Sequence, residues 1–513
     1  MRKHFPDFDR FRELSRGHSC IPVYRQLLGD MITPVAAFEL LGTDEHAFLL
    51  ESVVGGERIA RYSFLAVAPS LVYSCRQGQA SLSRPYLPAE AFSTTDPLGD
   101  LQKLLPVVKT YRDPALPTFT GGLVGYAGYD TIRYYEAEKL GAPPADDRKL
   151  PDLLFGLYND LVVFDHVDKT VKVIANAFVQ NDSTRAAAAT GPAPCPVLPV
   201  DQAYAQACQR VDALVARLQQ HVPGTVGEID PRGAQPLAYT SNMTREQFEA
   251  AVNRGLQYIR AGDIFQFVPS QRLRVRSSAD PFDVYRALRI INPSPFMFYL
   301  KSPACVLIGS SPEILCRVQD GVVTSRPLAG TRHRGASDAE DKRLEAELLA
   351  DPKDRAEHIM LVDLHRNDVG RVSQPGSVQV TDSMTVERYS HVMHISSNVQ
   401  GRLADGATAF DALRVSLPVG TVSGAPKVRA MQIIDEVEPT RRGPYGGAVG
   451  YFDFSGNTDN CIALRTIVYH GGQYDLQAGA GVVADSIPAA EYEETINKAR
   501  AMLKAVELAE QGF

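Results

Sequence analysis

Two segments of this chain carry carboxylates at the spacing of a helix face. In Asp354-Arg-Ala-Glu357 the two acids are three residues apart; in Glu491-Tyr-Glu-Glu494 two glutamates are again three apart, and Lys498 lies one turn further on. Residues at i and i+3 share a helix face. Acid pairs on two facing helices suit a hard divalent cation, most naturally Mg²⁺. The same spacing suits two solvated faces laced with i,i+4 ion pairs. Spacing alone leaves both readings open.

Other residues could serve an anionic substrate. Arg465, in Cys461-Ile-Ala-Leu-Arg-Thr466, interrupts an apolar stretch expected to be a strand. There it is either an edge residue or a buried anion ligand. Gly479-Ala480-Gly481 could bring backbone N–H groups close to a carboxylate, or simply make a tight turn. Gly420-Thr421-Val-Ser-Gly424-Ala-Pro-Lys427 has the wrong spacing for a phosphate loop, and Val428 stands where that loop needs Ser or Thr. His391 and His394 lie in Ser-His-Val-Met-His-Ile. His394 could be a general acid/base or a hydrogen-bonded core residue.

The elements that must position these residues read as α+β: large mixed or antiparallel sheets in a sandwich-like core, with helices outside. Residues 1–45 read as a leader helix and turn. From 47 to about 180 alternation predicts strands, among them Ala47-Phe-Leu-Leu-Glu51, Arg61-Tyr-Ser-Phe64 and Thr170-Val-Lys-Val173. The expected divisions are an N-terminal half over 1–180, a linker and helix over 181–240, and a second half over 241–513. Thr244-Arg-Glu-Gln247 predicts a capping box at the start of a helix. The net charge of −7 excludes the basic footprint of a nucleic-acid binder. No apolar run predicts a signal peptide or membrane span. Seven scattered cysteines with no C-x-x-C pair predict free thiols in a reducing cytoplasm.

Taken in order, these segments resemble the chorismate-utilising enzyme family. The landmarks are Gly262-Asp-Ile-Phe-Gln266, Gly309-Ser-Ser-Pro-Glu313, Arg326-Pro-Leu-Ala-Gly330-Thr331, Asp354-Arg-Ala-Glu-His358, Asp363-Leu-His-Arg-Asn-Asp368, Gly420 to Lys427, Gly479-Ala-Gly481 and Glu491-Tyr-Glu-Glu494. Two positions favour its anthranilate-forming branch. Gln266 stands where isochorismate-forming relatives have a water-activating Lys, and Ala329 where aminodeoxychorismate-forming relatives have a Lys. The resemblance implies Mg²⁺ on Glu357 and Glu494, with Asp354 and Glu491 as outer partners. It implies a substrate carboxylate on Arg465, Tyr445 and the amides of Gly479 to Gly481, with Gly330 and Thr331 bordering the ring and Lys498 adding positive charge. Glu313 would be a protonated general acid, Thr421 a further catalytic residue, and His394 would assist loss of pyruvate. No cysteine has a Gly-x-Cys-x-Gly setting, so ammonia from glutamine implies a separate glutamine amidotransferase subunit.

The N-terminal half resembles the same family's feedback tryptophan site through Glu51, Ser52, Arg61, Pro295, Phe296 and Met297. Phe296 replaces the Tyr common there. Two rival readings are an aminodeoxychorismate-forming subunit and a non-catalytic tryptophan-binding paralogue.

Overall fold

The computed structural model describes residues 3–52, 61–106, 108–180, 195–220, 229–230, 233, 235–388 and 392–512. His391 lies outside them, as does most of the expected linker. Among the described residues one antiparallel sheet has eleven strands, running from Cys20–Leu28 at one edge to Tyr239–Ser241 at the other. A second has twelve and runs from Leu328–His333 to Glu90–Ser93, with Gln379–Arg388 paired off the main path. The strands expected between 47 and 180 form, including Ala47–Glu51, Tyr62–Val67 and Thr170–Phe178. The expected leader region holds helices Phe8–Leu14 and Pro34–Leu41, but it also contributes Cys20–Leu28, an edge strand whose position tolerates Pro22.

Both sheets are stitched from the two halves of the chain. In the first, Ala47–Glu51 pairs with Phe296–Lys301, so that Glu51 lies opposite Met297. In the second, Gly122–Ala127 pairs with Ala448–Asp453, and Tyr126 lies opposite Val449. Within the expected linker and helix over 181–240, helix Val200–Leu218 forms, and the residues on either side of that range share both sheets.

The sheets stack face to face. Their shared apolar layer includes Phe48, Val163, Phe298 and Leu307 from the first sheet, and Val124, Val449 and Cys461 from the second. Their outer faces are covered by helices. Ala207, Tyr285 and Met502 pack on the first sheet, and Leu98, Phe410 and Leu413 on the second. Burying one face of each helix and both faces of each sheet gives four layers around three apolar seams.

Two helices carry the acid pairs. Pro352–Gly370 is started by Asp351, whose carboxylate accepts from the amides of Lys353 and Asp354, and by Pro352 in the first turn. Its inward stripe is His358, Leu361, His365 and Asp368. Pro488–Gln511 buries Glu491, Thr495, Ala499 and Met502 at helical spacing. The capping box at Thr244 forms with Gln247, and Arg245–Ala261 ends at Gly262 in the left-handed conformation. The chain then enters a two-stranded ribbon, Gln266–Phe267 against Gly424–Ala425. A Cβ on Gly424 would lie 2.2 Å from the Gln266 carbonyl oxygen. Gly424 thus serves a close backbone approach that fixes Gln266.

Candidate active site and a second cavity

The chain passes between the sheets at two neighbouring points. Pro312 and Glu313 join Val306–Ser311 of the first sheet to Ile314–Gln319 of the second. Ala463 to Arg465 join Thr458–Ile462 of the second to Thr466–His470 of the first. The crossovers run side by side because their flanking strands pair, Ile308 with Ile467 and Ile314 with Cys461. The Ile462 amide donates to the Glu313 carbonyl at 3.1 Å, and the Ser310 amide to that of Arg465 at 3.2 Å. Arg465 is therefore not on a strand, as its apolar neighbours suggest. It occupies a corner with φ +47°, a conformation costing a non-glycine residue roughly 1–3 kcal/mol and held by surrounding structure.

These crossovers form one wall of a cavity of about 360 Å³. Gln266, Glu313, Thr421, Tyr445 and Arg465 line it, as do Ala329 to Thr331, Gly479, Gly481 and Lys498. The acid helices contribute Asp354, Glu357, Glu491 and Glu494.

Glu313 is 4% exposed, and its Oε1 has no protein hydrogen-bond partner. Burial pushes its carboxyl up to about 8, so it stays protonated at neutral pH. The Leu328 amide and the buried Thr421 hydroxyl beside it offset part of that rise. His394 does not line the cavity but stands behind it. Its Nδ1 lies 2.8 Å from the Gly330 carbonyl oxygen and 3.1 Å from Thr331 Oγ1. Donation to that carbonyl puts the lone pair on Nε2. Burial first, and the Arg465 charge second among the lowering causes, depress its pKa and keep the ring neutral.

The four acids have unlike surroundings. Glu357 Oε1 accepts from Gln266 Nε2 at 3.0 Å, and burial raises its pKa. Burial raises that of Glu491 too, with the neighbouring Glu494 charge adding to it. Glu494 pairs with Lys498 at 2.6 Å, and Lys498 Nζ also donates to the Gly479 carbonyl at 3.0 Å. Asp354 pairs with Arg332 at 2.9 Å. Among the described residues no three His, Cys, Asp or Glu converge as a ready-made metal cage. The donor chemistry fits Mg²⁺ all the same, because that ion commonly takes one or two protein carboxylates and completes its shell with water and substrate oxygen. Glu357, half-buried with an amide on one oxygen, is well placed to hold such a cation.

One expected ligand is corrected. The Ala480 amide donates to the Pro269 carbonyl at 3.1 Å, so it is not available to a substrate carboxylate. Gly481 lines the cavity close against Gln266, where an added Cβ would lie 3.0 Å from Gln266 Nε2.

A second cavity, of about 230 Å³, lies between the two sheets, beside the strand pairs that join the two halves of the chain. Leu50, Ser52, Pro295, Phe296 and Phe298 line it from the first sheet, and Val449, Tyr451 and Cys461 from the second. Ser52 Oγ is buried there without a protein partner. Three expectations change. Glu51 borders this cavity, but its carboxylate is on the helix-covered face of the sheet. There it accepts from Tyr285 at 2.5 Å and pairs with Arg289 at 2.8 Å. Met297 also borders the cavity, but it lies opposite Glu51 and packs into the same helix-facing core. Strand alternation requires this, because Leu50 and Phe296 take the inward face. Arg61 is drawn away to Asp165 at 2.9 Å and Asp168 at 3.1 Å. Sequence reading also missed an opposite-charge pair in the cavity wall, Arg317 with Asp459 at 2.7 Å. Asp459 Oδ1 is buried without a protein partner.

All seven cysteines are free thiols. Among the described residues no helix is long and apolar enough to cross a membrane.

Residues 45–504 match the family model described as chorismate binding enzyme. The chain is 46% identical to anthranilate synthase component 1 of Pseudomonas putida, over 96% of this chain and 97% of that one. It is 44% identical to the component 1 of Acetivibrio thermocellus, over 98% of each. The crystal structure of anthranilate synthase component I from Streptococcus pneumoniae superposes with a TM-score of 0.75 at 37% identity, covering 93% of this chain and 98% of that one. The menaquinone-specific isochorismate synthase of Escherichia coli, 18% identical with a TM-score of 0.67, shares the fold. The chain belongs to the chorismate binding enzyme family.

Proposed function

We propose that the chain is the large subunit of an anthranilate synthase, converting chorismate and ammonia to anthranilate, pyruvate and water. The observation that carries this reading is the pairing of a buried, protonated Glu313 with Gln266 in one cavity. An acid is required to expel a hydroxyl, and no base is required to activate ammonia. Gln266 is an amide and cannot deprotonate water, which favours amination over hydration.

In the first half-reaction ammonia attacks C2 of the ring. The double bonds shift and the C4 hydroxyl leaves as water with the Glu313 proton. The nitrogen then loses its extra proton. In the second, the C2 proton is removed and the enolpyruvyl oxygen departs, giving pyruvate and an aromatic ring. His394, kept neutral by partial burial, assists that step from behind Gly330 and Thr331, which it holds through the Gly330 carbonyl and the Thr331 hydroxyl. Arg465, Tyr445 and Lys498 supply the positive and hydrogen-bonding groups for the substrate carboxylates. Mg²⁺ would be held by Glu357 and Glu494, with Glu491 and Asp354 further out, and when bound would neutralise charge on the ring carboxylate.

Replacing His394 by Ala should slow the second step selectively. Chromatography of the reaction should then reveal a non-aromatic amino-enolpyruvyl compound. Loss of intermediate and product together would move His394 to the first step.

The relatives named component 1 imply a second component, and no cysteine here has a glutaminase setting. We assign the second component as a glutamine amidotransferase that supplies ammonia, in a cytoplasmic complex. The second cavity fits tryptophan as an inhibitor. Its aromatic wall suits an indole, and Arg317, Asp459 and Ser52 match a zwitterion. Phe296 lies on the strand paired with Val306–Ser311, which leads directly to Glu313. A ligand there can favour an inactive arrangement, and chorismate must then oppose it reciprocally. Ser52→Leu should raise the tryptophan concentration for half-inhibition by more than about tenfold and leave uninhibited activity within about twofold. Unchanged inhibition would remove this cavity from the account.

A further inference from the structure

Gln477 is a cavity residue that neither the carboxylate spacing nor the family landmarks single out. It lies on strand Gln473–Gly479, is 4% exposed and lines the same cavity as Glu313. Its Nε2 is 2.8 Å from Ser270 Oγ, while its Oε1 is buried and has no protein hydrogen-bond partner.

The orientation of this amide is determined by a chain of partners. Ser270 Oγ is 2.9 Å from Glu438 Oε1, and the Ser270 amide donates to the same oxygen at 2.7 Å. Glu438 is held by Arg442 at 2.6 Å, and both side chains are 2% exposed. A carboxylate so paired only accepts, so the single hydroxyl proton of Ser270 points to Glu438. Ser270 Oγ must then accept from Gln477, which requires its NH₂ and not its carbonyl on that side. The carbonyl oxygen is left for whatever the cavity binds. The same ion pair braces the cavity, since Arg442 donates to the carbonyls of Val422 and Val268 at 2.6 Å each.

A buried acceptor held in one orientation without a donor needs a reason, and at a binding cavity the reason is a ligand. We infer that Gln477 is a reactant-binding residue whose side-chain carbonyl accepts a hydrogen bond from an N–H or O–H group of a bound reactant. A carboxylate is repelled there. On the functional reading above, on which this inference rests, the reactants offer two such donors: ammonia and the ring hydroxyl. Gln266 Oε1, also buried and without a protein partner in this cavity, is a second acceptor of the same kind.

The test uses the full chain with Gln477→Met, which keeps the length and removes the acceptor. Anthranilate formation is followed with ammonium varied at saturating chorismate, and then the reverse. The expected result is a rise of about tenfold in the KM of one reactant, the scale of one lost neutral hydrogen bond, and less than twofold in the other. A rise for ammonia assigns the carbonyl to the nucleophile. A rise for chorismate, matched by a tenfold weaker calorimetric affinity for chorismate alone, assigns it to the hydroxyl. Ser270→Ala releases the amide and should move the same constant by a smaller factor, and it carries the test if the Met variant does not fold. Both constants within twofold of wild type, both rising together, or a fall in kcat alone overturns the inference. A wild-type chain that forms no anthranilate in this assay fails earlier, at the functional reading.

Discussion

Glu313→Gln is expected to lower kcat by about 10²–10⁴, the usual contribution of a positioned acid, while making the protein more stable at neutral pH. The two effects share one cause. Burial lifts the carboxyl from its ordinary value of 4.5 to about 8. Between those values the unfolded chain has lost a proton that the folded chain retains, so stability falls as pH rises through this window. The contribution is fully present below pH 4.5 and gone above about 8. A neutral glutamine removes that dependence and should raise stability at pH 7 by about 3 kcal/mol. Thermal unfolding of both proteins between pH 5 and 9 reads the difference, which should widen toward the alkaline end. In the wild type, kcat at constant free ammonia should fall above pH 8 as the acid ionises. An equal Tm difference at every pH, or a variant with near-normal kcat, contradicts a buried general acid.

Glu357→Gln and Glu494→Gln should each reduce kcat/KM by at least about a hundredfold while the fold persists, because an amide is a much weaker ligand for a hard cation than a carboxylate. Chelation of the wild-type protein should give the same loss, reversed by Mg²⁺. Calorimetric titration with Mg²⁺ in the presence of chorismate should show binding to the wild type and little to either variant. Near-normal turnover of either variant at saturating Mg²⁺ would remove that residue from the metal. The contrast between the two acids is informative, since Glu494 already forms a close ion pair with Lys498, whereas Glu357 is hydrogen-bonded to the Gln266 amide and feels Lys353 and Lys498 only as more distant charges.

The acid helices, the capping box at Thr244 and the strands between 47 and 180 are legible in the sequence because each rests on local periodicity. What the sequence hides is set by long-range pairing. Cys20–Leu28 begins with five buried residues in succession and contains Pro22, so neither alternation nor composition marks it as a strand. Arg465 looks like part of a strand because Ile462, Ala463 and Leu464 are apolar, yet Ala463 to Arg465 bridge two sheets. Alternation does separate Leu50 from Glu51, but only the second sheet decides which face meets the cavity. Gln477 gives no signal, because its significance lies in Ser270, Glu438 and Arg442, which are distant in sequence.

The central claim is most directly tested by incubating the purified chain with chorismate, Mg²⁺ and ammonium at alkaline pH and following anthranilate fluorescence, with pyruvate measured in parallel. The structure predicts anthranilate and pyruvate in equal amounts without a glutaminase present. A non-aromatic amine formed without pyruvate, or no turnover at all, would contradict it.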